Sequence, residues 1–124
     1  PEIISKEPLG PAVRQGDDEW ADVARWVLNV LIAAEEAGIT QANVKGHAAK
    51  AGSNVDINRI VGTEGKFGSM IGLDQQWAVR AISAVGNYGE IFERNIGVNT
   101  PLGLARGLNA QWTEGGILYA PPVR

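Results

Sequence analysis

Glycine and proline set the scale of structure this chain can build. Sixteen glycines and six prolines fall among its 124 residues; that is 16 + 6 = 22, about 18% where about 12% is usual. They cut the sequence into short pieces, and the one long interval without either is 17–37. Inside it, Trp20, Val23, Val27, Val30, Leu31 and Ala34 recur every three or four residues. That is the single apolar stripe of an amphipathic helix. Asp17 or Asp18 suits the N-cap, Glu19 suits the positive end of the helix dipole, and Gly38 sits where a left-handed residue ends a helix. The spacing predicts a helix over 18–37. Trp26 and Leu28 lie off the stripe and imply burial on a second side.

The other segments are shorter. Residues 2–16 read as extended: Ile3 and Ile4 are β-branched, and Pro8 and Pro11 forbid a helix interior and bias Glu7 and Gly10 away from helical geometry. Pro11 to Arg14 is a second strand candidate, closed by a turn at Gln15-Gly16-Asp17. Thr40 can cap a helix running to about Ala51, weakened by Gly46. Residues 56–61 form a short helical turn stopped by Gly62. Gly62, Gly65, Gly68 and Gly72 leave 62–73 as loop with at most one turn of helix. A second clear helix spans 74–86, capped by Asp74 and stapled by Leu73 on Ala78. A third covers 87–95. Residues 98–108 are loop, 109–113 hold one turn, and Ile117 to Tyr119 form a short strand or packed tail. The expectation is a mainly α fold with one or two short β-strands near the N-terminus.

Composition removes whole classes of function. Apolar residues make up 44%, enough for a modest core and too many for a disordered tail. The net charge is −3 and the basic residues are scattered, which excludes a nucleic-acid footprint. The longest fully apolar run, Val30 to Ala34, falls far short of the roughly 20 residues of a membrane-spanning helix. No cysteine is present, so thiol catalysis, disulfides and cysteine metal sites are excluded. One histidine, His47, excludes multi-histidine metal sites. A serine triad built with Ser5, Ser53, Ser69 or Ser83 lacks a Gly-x-Ser-x-Gly elbow. The glycines of 62–72 lack phosphate-loop spacing before Lys66.

The remaining candidates have plainer readings. Asp17-Asp18-Glu19 is explained by helix capping, and Glu35-Glu36 by a solvated face. Neither pair has apolar surroundings that would split its pKa values. Trp20, Trp26, Trp77 and Trp112 read as core anchors rather than a sugar platform. No catalytic residue, metal ligand or cofactor follows, and the chain is not expected to be an enzyme.

Longer strings carry a resemblance. Residues 1–20 hold Glu7-Pro8-Leu9-Gly10 and Arg14, Gly16 and Asp17 before the long helix. Further on come Gly62-Thr-Glu-Gly65, Gly72-Leu-Asp74, Asn87-Tyr-Gly-Glu-Ile-Phe-Glu-Arg94, Gly107-Leu-Asn-Ala-Gln-Trp112 and Tyr119-Ala-Pro-Pro-Val-Arg124. Over nearly all of its length the chain resembles the C-terminal portion of periplasmic amino-acid-binding proteins of ABC transporters, in their general L-amino-acid-binding branch (the type II solute-binding family). The resemblance implies two α/β lobes joined by crossover strands and closing on one amino acid. It makes 1–16 crossover or hinge strands and 17–124 the helical C-terminal region of the first lobe.

In that family an arginine of the first lobe holds the ligand carboxylate and an acidic residue of the second holds the ammonium. Both lie upstream of the position matching Pro1, so the ligand-binding residues of this chain stay unknown. A complete protein would need roughly twice this length. The Pro1 start suggests a chain cut from something longer, and no signal peptide is present in it; a periplasmic location follows from resemblance alone. The implied function is capture of an L-amino acid and delivery to an ABC permease, without nucleic acid or cofactor. The alternative is a stand-alone helical packing or oligomerisation module. As an isolated chain it is expected to form a homo-oligomer through residues 3–14 and the back of helix 18–37.

Overall fold

A computed structural model of the chain describes residues 9–124. Its first element, α1, runs Asp18–Glu36. Asp17 accepts the Trp20 backbone N–H at 3.2 Å, the N-cap bond that the sequence called for. At the other end Gly38 takes φ +68°. Its N–H donates to the Glu35 carbonyl at 3.0 Å and that of Ile39 to the Ala34 carbonyl at 2.8 Å, the paired bonds of a Schellman end. Ile39 is thereby turned into the core, where it is fully buried.

Among the described residues five short helices follow: α2 (Val44–Ala49), α3 (Val55–Ile60), α4 (Phe67–Met70), α5 (Trp77–Val85) and α6 (Tyr88–Asn95). Single 3-10 turns follow at Gly107–Asn109 and Trp112–Glu114. α1 packs on α3, α5 and α6, and α2 on α3 and α5. Their shared core is built from Val30, Leu31, Ile39, Val61, Trp77 and Ile82, and is closed from the tail by Val123. An aromatic row of Trp26, Phe67 and Trp77, with centroids 4.4 and 6.2 Å apart, pins α4 between α1 and α5. None of the helices is long and apolar enough to cross a membrane among the described residues.

Several expectations are corrected. No strand occurs among the described residues; the only β pairing there is one isolated parallel bridge between Gln111 and Leu118. Pro11 to Arg14 is irregular and mostly exposed. A strand needs a ladder partner, and β-branched or proline-restricted residues do not supply one. The expected strand at Ile3 and Ile4 lies outside the described residues, as does most of the Glu7–Gly10 connection. The helix after Thr40 starts later, at Val44. The Thr40 backbone N–H donates to Asn43 Oδ1 at 2.7 Å, and the Asn43 N–H to Thr40 Oγ1 at 3.3 Å, so these two side chains close a turn instead. Asp74 does not cap α5 directly. It accepts the Gln76 N–H at 2.8 Å and pairs with Arg80, and the helix begins at Trp77.

Burial along α1 also differs from the stripe. Val30, Leu31, Ile32 and Ala34 are buried on several sides, whereas Trp20 is 58% exposed. Periodicity identifies the apolar side of a helix but not how far neighbouring elements reach along it. Two glycines of 62–72, Gly62 and Gly68, serve close packing. A Cβ on Gly62 would collide with the Gln75 carbonyl, and one on Gly68 would collide with that of Asp74. This loop is therefore held against the approach to α5.

Candidate functional site

A densely bonded polar cluster joins α1 to the C-terminal segment. Glu35 Oε1 and Oε2 accept the two Arg106 terminal amines at 2.7 and 3.1 Å. This is the two-pronged geometry that gives an arginine–carboxylate pair both strength and direction. Arg106 Nε and Nη2 also donate to the Asn109 carbonyl at 3.0 and 2.7 Å. Gln111 Nε2 donates to Glu35 Oε2 at 3.0 Å and to the Ile32 carbonyl at 3.2 Å. The guanidinium lies 5.6 Å from the Tyr88 ring centre and 5.1 Å from that of Phe92, within cation–π range.

Both charged side chains are largely shielded, 16% exposed for Glu35 and 18% for Arg106. The bond to Glu35, above other causes, pushes the Arg106 guanidinium pKa up from its ordinary value. Gly89 makes room for the pair: a Cβ there would sit 2.6 Å from Glu35 Oε1 and 3.0 Å from Arg106 Nη1.

A second tie fixes the α5–α6 corner. Asn87 and Glu90 form a reciprocal capping box at the start of α6. Glu90 Oε2 also accepts the Gln41 N–H at 3.0 Å, and Asn87 Nδ2 reaches the Ile39 carbonyl at 2.9 Å. Gln41 Nε2 donates to the carbonyls of Ser83 and Ala84 at 3.0 and 3.2 Å. Both networks tie their charged groups to the chain's own atoms, which suits scaffolding.

A sizeable recess with an apolar floor lies beside the first network. It is a half-open cleft of about 350 Å³ between the end of α1, the start of α3 and the 119–123 tail. Ala33, Ile57 and Ile60 form part of its floor, Glu36 and Asp56 stand on its sides, and Trp112 and Tyr119 form an aromatic wall. The two rings meet edge to face with centroids 5.9 Å apart. Trp112 Nε1 donates to Glu36 Oε1 at 3.2 Å.

The residues weighed in the sequence stay apart. Asp17 caps α1, and Asp18 and Glu19 lie in its first turn. His47 is in the last turn of α2. Ser53 is exposed, Ser69 donates to the Lys66 carbonyl at 2.7 Å, and Ser83 Oγ is buried without a partner. No histidine–serine bond and no metal-holding group of His, Asp or Glu occurs among the described residues. Of the tryptophans, Trp77 is buried and Trp26 packs on the core, whereas Trp20 and Trp112 are exposed, so only two act as core anchors.

The solvated reading of Glu35-Glu36 holds only for Glu36, which is exposed. Arg106 is 71 positions from Glu35, in a segment read as loop, so no local pattern joins them. The available signal was energetic: two adjacent carboxylates at the negative end of a helix call for a cation.

No family model matches the chain. Over its whole length it is 61% identical to the glutamate/glutamine/aspartate/asparagine-binding protein BztA of Rhodobacter capsulatus. It is 62% identical to the general L-amino acid-binding periplasmic protein AapJ of Rhizobium johnstonii. It spans 36% of the length of each, nearer a third than the half expected. Among solved structures, an ABC transporter periplasmic binding protein from Brucella ovis with glutathione bound is 60% identical. That structure superposes on all of this chain with a TM-score of 0.93, and the match covers 39% of its own length.

Proposed function

We infer that the chain is a segment of a substrate-binding protein of amino-acid ABC transport. The whole protein would act in the periplasm, capturing an L-amino acid without covalent chemistry and delivering it to a permease. The observation that carries this reading is that the likeness runs through every residue, in sequence and in backbone, and does not stop at one motif. In this reading, residues 1–16 belong to the crossover between two lobes and 17–124 form the helical C-terminal region of the first. The charged groups here support it: Glu35, Glu90, Arg106 and Asp74 are spent on the chain's own contacts. In this reading the ammonium and carboxylate anchors belong to the rest of the protein, and no enzymatic step is assigned to this part.

Isothermal titration with a panel of L-amino acids tests the proposal. With the neutral and acidic members of the panel, which carry no side-chain cation, the chain alone should give no saturable heat, and a protein joining it to the remaining lobes should bind. Micromolar binding of a neutral or acidic amino acid by the chain alone would overturn the placement of the anchors. Failure of the complete protein to bind any amino acid would overturn the transport reading.

A second reading, a packing module that self-associates, draws on one feature. Trp20, Leu102, Leu104, Leu108, Ile117 and Tyr119 are large apolar residues left exposed. Surface of this kind marks where another polypeptide docks. In the transport reading the same surface meets the remaining lobes.

A further inference from the structure

We propose that the cleft between the end of α1, the start of α3 and the 119–123 tail binds an organic cation, an alkylammonium or guanidinium group on a short aliphatic stem. The proposal stands whether or not the transport reading holds. The recess, about 350 Å³, is within the range of small-ligand sites, roughly 300–1,000 Å³. Its apolar floor, with Ala33, Ile57 and Ile60, suits methylene groups. Its aromatic wall is half open: Trp112 and Tyr119 pack edge to face yet stay 50% and 63% exposed. Exposed π faces attract cations.

Charge selects the sign of the ligand. α1 ends with no basic residue in its last turn, so the negative end of its dipole is uncompensated by its own side chains. Of the two carboxylates there, Glu35 is answered by Arg106. Glu36 accepts the neutral Trp112 indole N–H and has no cation partner among the described residues. Across the cleft, Asp56 has only a loose, exposed pairing with Arg59 at 3.9 Å. An anion would meet two carboxylates, and a neutral apolar ligand would strip water from them without replacement. A cation with an apolar stem satisfies floor, wall and sides together. The same chemistry is carried by a free amine and by a lysine or arginine side chain on a polypeptide.

The test follows the Trp112 indole N–H signal of the 15N-labelled chain, assigned with Trp112→Phe. The chain is titrated with agmatine, with an acetylated and amidated Gly-Arg-Gly tripeptide, and with uncharged pentanamide. A saturable shift with agmatine, the tripeptide or both is expected, weakening as NaCl rises from about 0.05 to about 0.5 M. Response to agmatine alone identifies a free small molecule as the source; response to the tripeptide identifies a polypeptide side chain. Glu36→Gln should weaken binding about threefold. Asp56→Asn, at the other side of the cleft, provides the same reading if the first variant loses the native amide spectrum. The proposal is overturned if neither cation gives a saturable shift, if pentanamide shifts the signal equally, or if both carboxylate variants bind as tightly as the parent.

Discussion

At the scale of single residues, Glu35 and Arg106 carry the greatest consequence. Removing one member of a shielded, doubly bonded pair strands the other, and the loss exceeds what the pair contributes net. Arg106→Ala should therefore lower unfolding free energy by about 2–4 kcal/mol, read from urea denaturation. Arg106→Lys should recover only part of it, because an ammonium cannot match the two-pronged geometry or the contact with Asn109. Full recovery by lysine would show that charge alone matters. Gly89→Ala tests the same site from below: its methyl would displace Glu35, at a loss of about 1–3 kcal/mol. The tryptophans separate by exposure. Trp77→Ala should cost about 3–5 kcal/mol. Trp20→Ala, at a site 58% exposed, should cost less than about 1 kcal/mol, well below what its place on the apolar stripe suggests.

At the scale of elements, legibility followed the range of the forces involved. The bounds of α1, α3 and α6 agree with the sequence within a residue or two, because Asp17, Gly38, Gly62, Asn87 and Gly97 act through bonds to near neighbours. The late starts of α2 and α5 have the same origin: Thr40 with Asn43, and Asp74 with Gln76, make turns that compete with the first helical residues. Strands failed because pairing is a property of two segments, and the Glu35–Arg106 tie stayed hidden because it spans 71 positions. Two predictions belong here. Asn87→Ala should lower stability by about 1–2 kcal/mol, since it removes the cap of α6 together with the bond to the Ile39 carbonyl. Asp74 should confer a pH dependence. The Arg80 bond first, then the Gln76 N–H, holds its carboxyl below the ordinary 3.8. A depressed folded-state value adds stability that is complete above the unfolded value and is lost as pH falls through the folded one. The parent and Asp74→Asn should therefore differ in urea midpoint at neutral pH and converge as pH falls through the folded-state value. A difference that persists unchanged in acid would locate the effect elsewhere.

At the scale of the whole molecule, the distribution of apolar surface separates what this chain holds together from what it leaves open. The C-terminal half of α1 is enclosed on several sides, and Trp26, off the apolar stripe, is covered by Phe67. The back of α1 is thus covered at Trp26 by the chain's own α4, and not left open for a second copy. The open surface lies at its N-terminal end, at Trp20, and along the C-terminal segment at Leu102, Leu104, Leu108 and Ile117. Burying apolar surface is worth about 25 cal/mol per Å², and association must exceed roughly 4–15 kcal/mol of lost translational and rotational freedom. Scattered single side chains do not reach that, whereas two copies that join these residues into one shared face would. The isolated chain is therefore expected to self-associate weakly, with the C-terminal segment as the main contact and α1 contributing through Trp20. Residues 9–14 add little, being irregular with no ladder to extend. Sedimentation across a hundredfold concentration range would show a rising mass, and Leu104→Ser with Leu108→Ser should suppress it. If the mass stays monomeric while the variants and parent remain equally folded, these residues are ordinary exposed side chains and the packing-module reading falls. If the mass rises but the double variant does not reduce it, the contact lies elsewhere, and Trp20→Ser becomes the variant that locates it.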